Sequence, residues 1–271
     1  MTVLPRRSLR ELEVELRQRK VEHIVFVEGP SDARFYRWAT GAITGTDFRS
    51  VSLIDFSGEV LNDDESISSN RTLVVAAMRR FDTKQSGVKA TGIVDRDCGV
   101  PEEWRKVADL LSTDFPAIES YCCTPSVLLK FFQLDLDLAW TEDRIIKAIG
   151  GALKSLFEMR ARHGGLSGLE HDKILSNKSG VIHVAIPVTG VDGAFDAPTT
   201  WAELQETCYG HDLAPVLLAI DRNKIKNRLG IKSAEHLESR LVGYVDREHL
   251  NTYPLFRSLD ARLSHLPIAA G

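Results

Sequence analysis

The chain has 271 residues, a formal net charge of −4, 43% hydrophobic and 27% charged residues, an ordinary balance for a globular protein with one large domain or two modest ones. No apolar run approaches the roughly 18 residues of a membrane span. The early arginines are answered by Glu11, Glu13 and Glu15 rather than by the apolar core of a signal peptide, so a cytoplasmic location is expected.

In chain order, Leu9, Leu12 and Leu16 fall at helical intervals and predict an amphipathic helix over Ser8–Lys20. Packing on its own domain is the simpler expectation for it; a homo-oligomer contact is the alternative. His23–Val27 reads as a buried strand, and Ser31 is placed to cap a helix over Asp32–Thr40. A second strand is expected at Val51–Phe56, a polar turn-rich stretch at Ser57–Asn70 and a helix at Thr72–Phe81. Lys89–Val94 makes a third strand and Pro101–Leu111 a helix behind it. This alternation implies parallel pairing with helical crossovers. After Phe115–Tyr121 the texture turns helical: Pro125–Phe132, Glu142–Arg162, Trp201–Leu218, Ser233–Val242 and Pro254–Leu263, with only Val181–Pro187 strand-like. The expectation is an α/β domain over residues 1–130 and a mostly helical region over 131–271.

Two apolar runs end in acid. Ile24–Val27 leads into Glu28-Gly29-Pro30-Ser31-Asp32, and Ile93-Val94 into Asp95-Arg96-Asp97. In open α/β sheets, ligands bind outside the carboxyl ends of the strands. Carboxylates that converge there repel one another unless a cation lies among them, and hard oxygen donors suit Mg²⁺. Gly29 is expected to let the chain turn sharply after the strand. Asp32, one helical turn on, either faces the same crevice or complements a helix N-terminus. Asp95 and Asp97 share a side of extended backbone, unless Asp97 merely pairs with a nearby cation. Cys98, Cys122, Cys123 and Cys208 lack zinc-site spacing and are expected as free thiols.

Val27–Asp32 (VEGPSD) followed by Ile93–Asp97 (IVDRD) resembles a Toprim domain. The resemblance implies a Rossmann-like parallel sheet with helices on both faces. It also implies a divalent-metal centre in which Glu28, Asp95 and Asp97 serve catalysis. Ala117–Tyr121 (AIESY) is similar to an I-E-N-Y segment of Toprim proteins allied to OLD-family nucleases, which points to Glu119 as a further metal ligand. A helix cap or surface pairing is the equal alternative for that glutamate. Gly210-His211-Asp212 resembles a G-K-D/E element of the same relatives, with His211 in place of lysine. Proteins of this pattern often accompany an ABC-type ATPase, as in the Toprim nuclease subunits of PARIS-type anti-phage systems. The resemblance therefore implies a nuclease effector of antiviral defence held by a partner ATPase. The chain carries no Walker A motif of its own.

Phosphodiester hydrolysis needs an in-line water and neutralised charge, which Mg²⁺, or Mn²⁺ in its place, supplies when carboxylates hold it. Asp95 and Asp97 are assigned to one ion, with Glu28 as ligand or general base, while Asp32 and Glu119 help a second. Arg222, Lys224, Lys226, Arg228 and Lys232 form a basic segment that tracks a DNA or RNA backbone, or else a solvated helix face. Arg160, Arg162 and His163, before Gly164-Gly165, form a second basic patch. The net negative charge argues against a broadly basic coat but not against such local grooves. The main alternative is a non-catalytic Toprim module that binds nucleic acid or a partner protein; a phosphotransfer or topoisomerase-like accessory is a third reading.

Overall fold

The structure is a computed structural model that describes residues 6–41, 43–57, 69–163, 170–185 and 195–266. It divides into two compact units, each of which is an interrupted stretch of chain. The described residues of Met1–Arg96, Val100–Asp114 and Arg247–Gly271 form the first; Asp97–Gly99 and Phe115–Asp246 form the second.

The first unit starts with a short strand β1 (Arg7–Ser8) and the helix α1 (Leu9–Gln18), whose N-terminus is closed by a reciprocal capping box between Ser8 and Glu11. Strand β2 (His23–Val27) follows, buried at every position, so both of its faces are covered. Helix α2 (Pro30–Ala39) begins two residues earlier than expected. Its first residue is Pro30, whose missing N–H costs nothing there, so Gly29 rather than Ser31 takes the capping position.

Strand β3 is Thr46–Ser50, not Val51–Phe56. The apolar run instead forms a 3-10 turn, Val51–Leu53, and the two-residue strand β4 (Ile54–Asp55), which pairs in parallel with β1. The physical reason is position. β3 is the edge of its sheet, where charged residues are at home, and its Asp47 and Arg49 pair at 2.8 Å. Val51, Ile54 and Phe56 are buried in the core below. Most of the expected turn-rich stretch (58–68) lies outside the described residues.

Helices α3 (Asn70–Arg80) and α4 (Thr83–Ser86) lead to β5 (Lys89–Val94), whose bounds match the expectation. The helix expected at Pro101–Leu111 is absent. A single 3-10 turn, Trp104–Lys106, gives way at Asp109 (φ +56°) to a fourth strand, β6 (Leu110–Ser112). Gly92, Ile93 and Val94 of β5 pair with Leu110, Leu111 and Ser112, and this tertiary pairing outweighs one turn of helix propensity. The result is a four-stranded, all-parallel sheet in the order β3-β2-β5-β6. Leucines of α1 and α3 close one face against Ile24 and Phe26.

In the second unit, α5 (Pro125–Lys130) runs into a π-helical turn, Phe131–Asp135, and the long α6 (Glu142–His163) follows. Helix α7 (His171–Ile174) precedes a hairpin of β7 (Leu175–Lys178) and β8 (Val181–Val184). Ser179 and Gly180, both at positive φ, make its two-residue turn. β7 was not expected because Leu-Ser-Asn-Lys has no apolar alternation. Residues 186 and 187, the last of the strand expected there, lie outside the described residues.

The helix expected over Trp201–Leu218 is two, α8 (Trp201–Glu206) and α9 (Leu213–Ile220), with a 3-10 turn at Gly210–Asp212 between them. Helices α10 (Arg222–Leu229) and α11 (Ala234–Val242) complete this unit. The last two, α12 (Arg247–Leu250) and α13 (Pro254–Leu263), return to the first unit. There Phe256 lies 6.2 Å from the Phe35 ring and 6.1 Å from the Tyr36 ring. The first unit thus includes α13 and, apart from 97–99, runs to Asp114 in its N-terminal part; the sequence placed the change of texture near residue 130, within a wide margin. Among the described residues, no helix is long and apolar enough to cross a membrane.

Candidate metal centre

Chain direction across the sheet reverses at β2. The chain passes from β2 to β3 on one side, then returns to place β5 and β6 on the other. The crevice outside the carboxyl ends of β2 and β5 is therefore the topological switch point, the position at which parallel α/β sheets bind ligands. Glu28 follows the last residue of β2 and Asp95 the last of β5. The backbone N–H of Asp95 donates to Glu28 Oε1 at 2.8 Å, and the Ser50 hydroxyl donates to the Glu28 carbonyl at 3.0 Å. These bonds fix the Glu28 carboxylate over the end of the neighbouring strand. The Glu28 carboxylate is thus bound to the main chain at the start of the second acidic motif.

Gly29 does not turn sharply: its backbone is extended, with φ −123°. Asp32 curls back instead, and its Oδ2 accepts the Gly29 N–H at 2.8 Å. That bond is half of a helix-capping arrangement at the start of α2, the structural role weighed for this acid.

In the second unit Asp97 holds a left-handed backbone (φ +50°), a conformation that aspartate tolerates better than most residues. Its N–H donates to the Pro116 carbonyl at 2.8 Å. Burial, then the nearby Asp97 charge, push the Tyr209 phenol well up. The Arg160 guanidinium stacks over the Tyr209 ring, 4.7 Å from its centroid. It also forks onto Asp212, from Nε at 2.9 Å and a terminal nitrogen at 2.7 Å. His171 Nε2 lies 2.7 Å from the same carboxylate, which is fully buried. His171 and Arg160 hold the Asp212 carboxyl below the usual range against its burial.

Glu119 sits on a 3-10 turn, Ile118–Cys122. The buried Ser120 hydroxyl ties that turn to the Cys208 carbonyl at 2.7 Å, a task that the hydroxyl performs where the resemblance has asparagine. His211 Nδ1 is 3.8 Å from Glu119 Oε1 and 3.7 Å from Glu238 Oε1. One ligand atom from each of the three lies within 4.8 Å of the others, a spacing that could hold a metal ion.

The basic residues divide. Arg222 forks onto Asp172, and Arg228 reaches Asp137 at 3.7 Å. Lys226 and Lys232 line an open cavity of about 880 Å³ together with Arg222 and Ser233. Lys224 is half-buried on the first turn of α10. Arg160 is no phosphate-facing cation, because Asp212 holds it in a buried ion pair, and Arg162 lies over the Phe195 ring. The side chain of His163 and residues 164–165 lie outside the described residues. Three of the four thiols are buried and free, as expected, and Cys98 is exposed.

Tyr209, Glu238 and His171 were missed by sequence reasoning because none lies in a motif; only the adjacency of Tyr209 to Gly210-His211-Asp212 offered a signal. The donor set of Glu28 and Asp95 in the first unit is all carboxylate oxygen, which fits a hard divalent cation. No family model matches the chain, and no curated protein matches it.

Proposed function

We propose that the protein is a divalent-metal-dependent nuclease of the Toprim type, hydrolysing phosphodiester bonds of DNA or RNA. The observation that carries this reading is Glu28 and Asp95 at the switch point of a parallel sheet, locked together by the 2.8 Å bond from the Asp95 amide. Mg²⁺, or Mn²⁺ in its place, would be held by Glu28 and Asp95; the resemblance alone assigns the second acid of the same motif, Asp97, a part in this chemistry. Such an ion supplies charge neutralisation at phosphate and a water of lowered pKa. The chain's own part is to hold these carboxylates in place and to accept a proton from the attacking water. Glu28 is the candidate acceptor, because the amide bond orients its carboxylate without neutralising it. Lys224, Lys226 and Arg228 are candidate backbone contacts, with Lys226 the best placed because it faces an open cavity. By the same resemblance the enzyme serves anti-phage defence and is restrained by an ABC-type ATPase partner.

The test is cleavage of plasmid DNA and total RNA in Mg²⁺, with and without the partner ATPase. Wild type is expected to cut one of them. Glu28→Ala and Asp95→Ala should lose at least about 100-fold in rate, and chelation should abolish cutting. Intact substrates in every reaction, with each protein folded, would contradict the nuclease reading. Substrate retention without cleavage would favour the non-catalytic binding module.

A further inference from the structure

We propose that the cavity beside α10 and α11 binds a nucleoside phosphomonoester, with Lys226 and Lys232 taking the phosphate and His171 supplying a fixed ring nitrogen beside it. Every residue that the inference uses lies in the second unit, so it stands or falls without the metal centre. It also gives Lys226 a terminal phosphate to hold, in place of the strand backbone considered above.

The cavity measures about 880 Å³, a size that suits a small-molecule ligand. Its charged lining sets Lys173, Arg222, Lys226 and Lys232 against Glu170 and Asp172. Glu170 pairs with Lys173, and Asp172 receives the fork of Arg222, one arm at 2.9 Å. Lys226 and Lys232 are exposed and make no ion pair among the described residues. Two positive charges therefore face the cavity uncompensated. A phosphomonoester, with close to two negative charges at neutral pH, matches them better than a singly charged diester. The end of α10 brings both lysines to one cavity. Gly230, at φ +66°, closes that helix through its N–H bond to the Lys226 carbonyl at 3.0 Å. Ile231 is then buried, and Lys232 joins the lining. The start of α11 is not the anion site, because the Ser233 hydroxyl caps it by accepting the His236 amide at 3.4 Å.

His171 adds a polar group that is held in place. Its Nε2 lies 2.7 Å from the carboxylate of Asp212, which is fully buried and also bound by Arg160. A carboxylate can only accept, so Nε2 carries the proton and Nδ1 is the nitrogen left for a ligand. Pro215, Leu218 and Ile231 form the apolar part of the lining, against which a base can lie. Glu170 and Asp172 can accept ribose hydroxyls. A sugar phosphate would leave the apolar side uncovered, whereas a nucleotide meets all three kinds of surface.

The probes are adenosine and cytidine monophosphates, titrated into the full chain by calorimetry without divalent metal. Wild type should bind at least one of them about 10-fold or more tightly than ribose phosphate or the nucleoside. Lys226→Gln and Lys232→Gln should each weaken binding by about 10-fold. Lys178→Gln, at an exposed lysine of β7 outside the cavity, should leave it unchanged. All three lysines are exposed, so each variant should keep the wild-type melting temperature. The ring nitrogen resonances of His171 should shift with nucleotide in the wild type and stay still in the double lysine variant. Short single strands with and without a terminal phosphate separate the sources of the group. Competition by the phosphorylated strand alone would assign a strand end, and competition by neither would assign the free nucleotide; both support the site. Equal competition by the two strands would overturn the monoester in favour of backbone binding. No binding of either nucleotide, wild-type affinity in both lysine variants, or a His171 ring indifferent to saturating nucleotide would overturn it as well.

Discussion

Glu28 and Asp95 are ordinary carboxylates made specific by one backbone bond, and that bond was not visible in the sequence. The acids and their order were legible because each ends a run of β-branched and aromatic residues; the contact between them required β2 and β5 to be neighbours. Asp32 shows the opposite limit. Its place in the motif suggested a ligand, while its geometry spends one oxygen on the Gly29 amide. Asp97 gives a test at this scale. Because its φ is +50°, Asp97→Ala should be less stable than Asp97→Asn by about 1–2 kcal/mol in urea unfolding. Equal stabilities would contradict the left-handed assignment. His23 gives another. Burial, then the neighbouring His265 and Lys89, push its imidazole down to about 4 from 6.5. The folded protein thus favours the neutral ring, and the unfolded chain binds the extra proton first. This stability is complete above pH 6.5 and is lost as pH falls from there toward about 4. Between roughly pH 8 and pH 5, wild type should lose about 2 kcal/mol more than His23→Gln. Parallel pH dependences in the two proteins would sink the point.

Elements were read well where burial was two-sided or the helix was long, and poorly where pairing decided. The bounds of β2 and β5 follow from continuous apolar runs, and α13 from its own periodicity. β3 and β6 owe their state to the strands beside them, since Thr-Asp-Phe-Arg-Ser and Leu-Leu-Ser carry little strand signal alone. Gly92 shows how closely these elements meet. A Cβ there would lie 2.6 Å from Met78 Cγ, 2.8 Å from Leu110 Cδ1 and 3.1 Å from Val74 Cγ1. Gly92→Ala should therefore cost about 1–3 kcal/mol by forcing α3 and β6 away from β5. A neutral substitution in thermal unfolding would show that these side chains yield freely. Between α8 and α9, Asp212→Ala should cost about 3–5 kcal/mol, because Arg160 would stay largely buried without its partner. A loss of activity at unchanged stability would instead place Asp212 in the chemistry.

At the scale of the whole molecule, the chain builds its first unit from both ends. The sequence shows where texture changes but not that α13 returns, since an amphipathic helix carries no address for the face it covers. A fragment that stops at residue 130 lacks Phe256 against Phe35 and Tyr36. It should unfold without a cooperative transition, whereas a chain that joins residues 1–114 to 247–271 through a flexible linker should regain one. Equal cooperativity in both would contradict the assignment of α13. The nuclease proposal depends on this first unit, because its sheet sets the crevice in which Glu28 and Asp95 meet. The most direct measurement is anomalous diffraction from crystals grown with Mn²⁺. The account predicts a manganese peak within bonding distance of the Glu28 and Asp95 carboxylates; no peak there, with these side chains ordered and Mn²⁺ in excess, would contradict it.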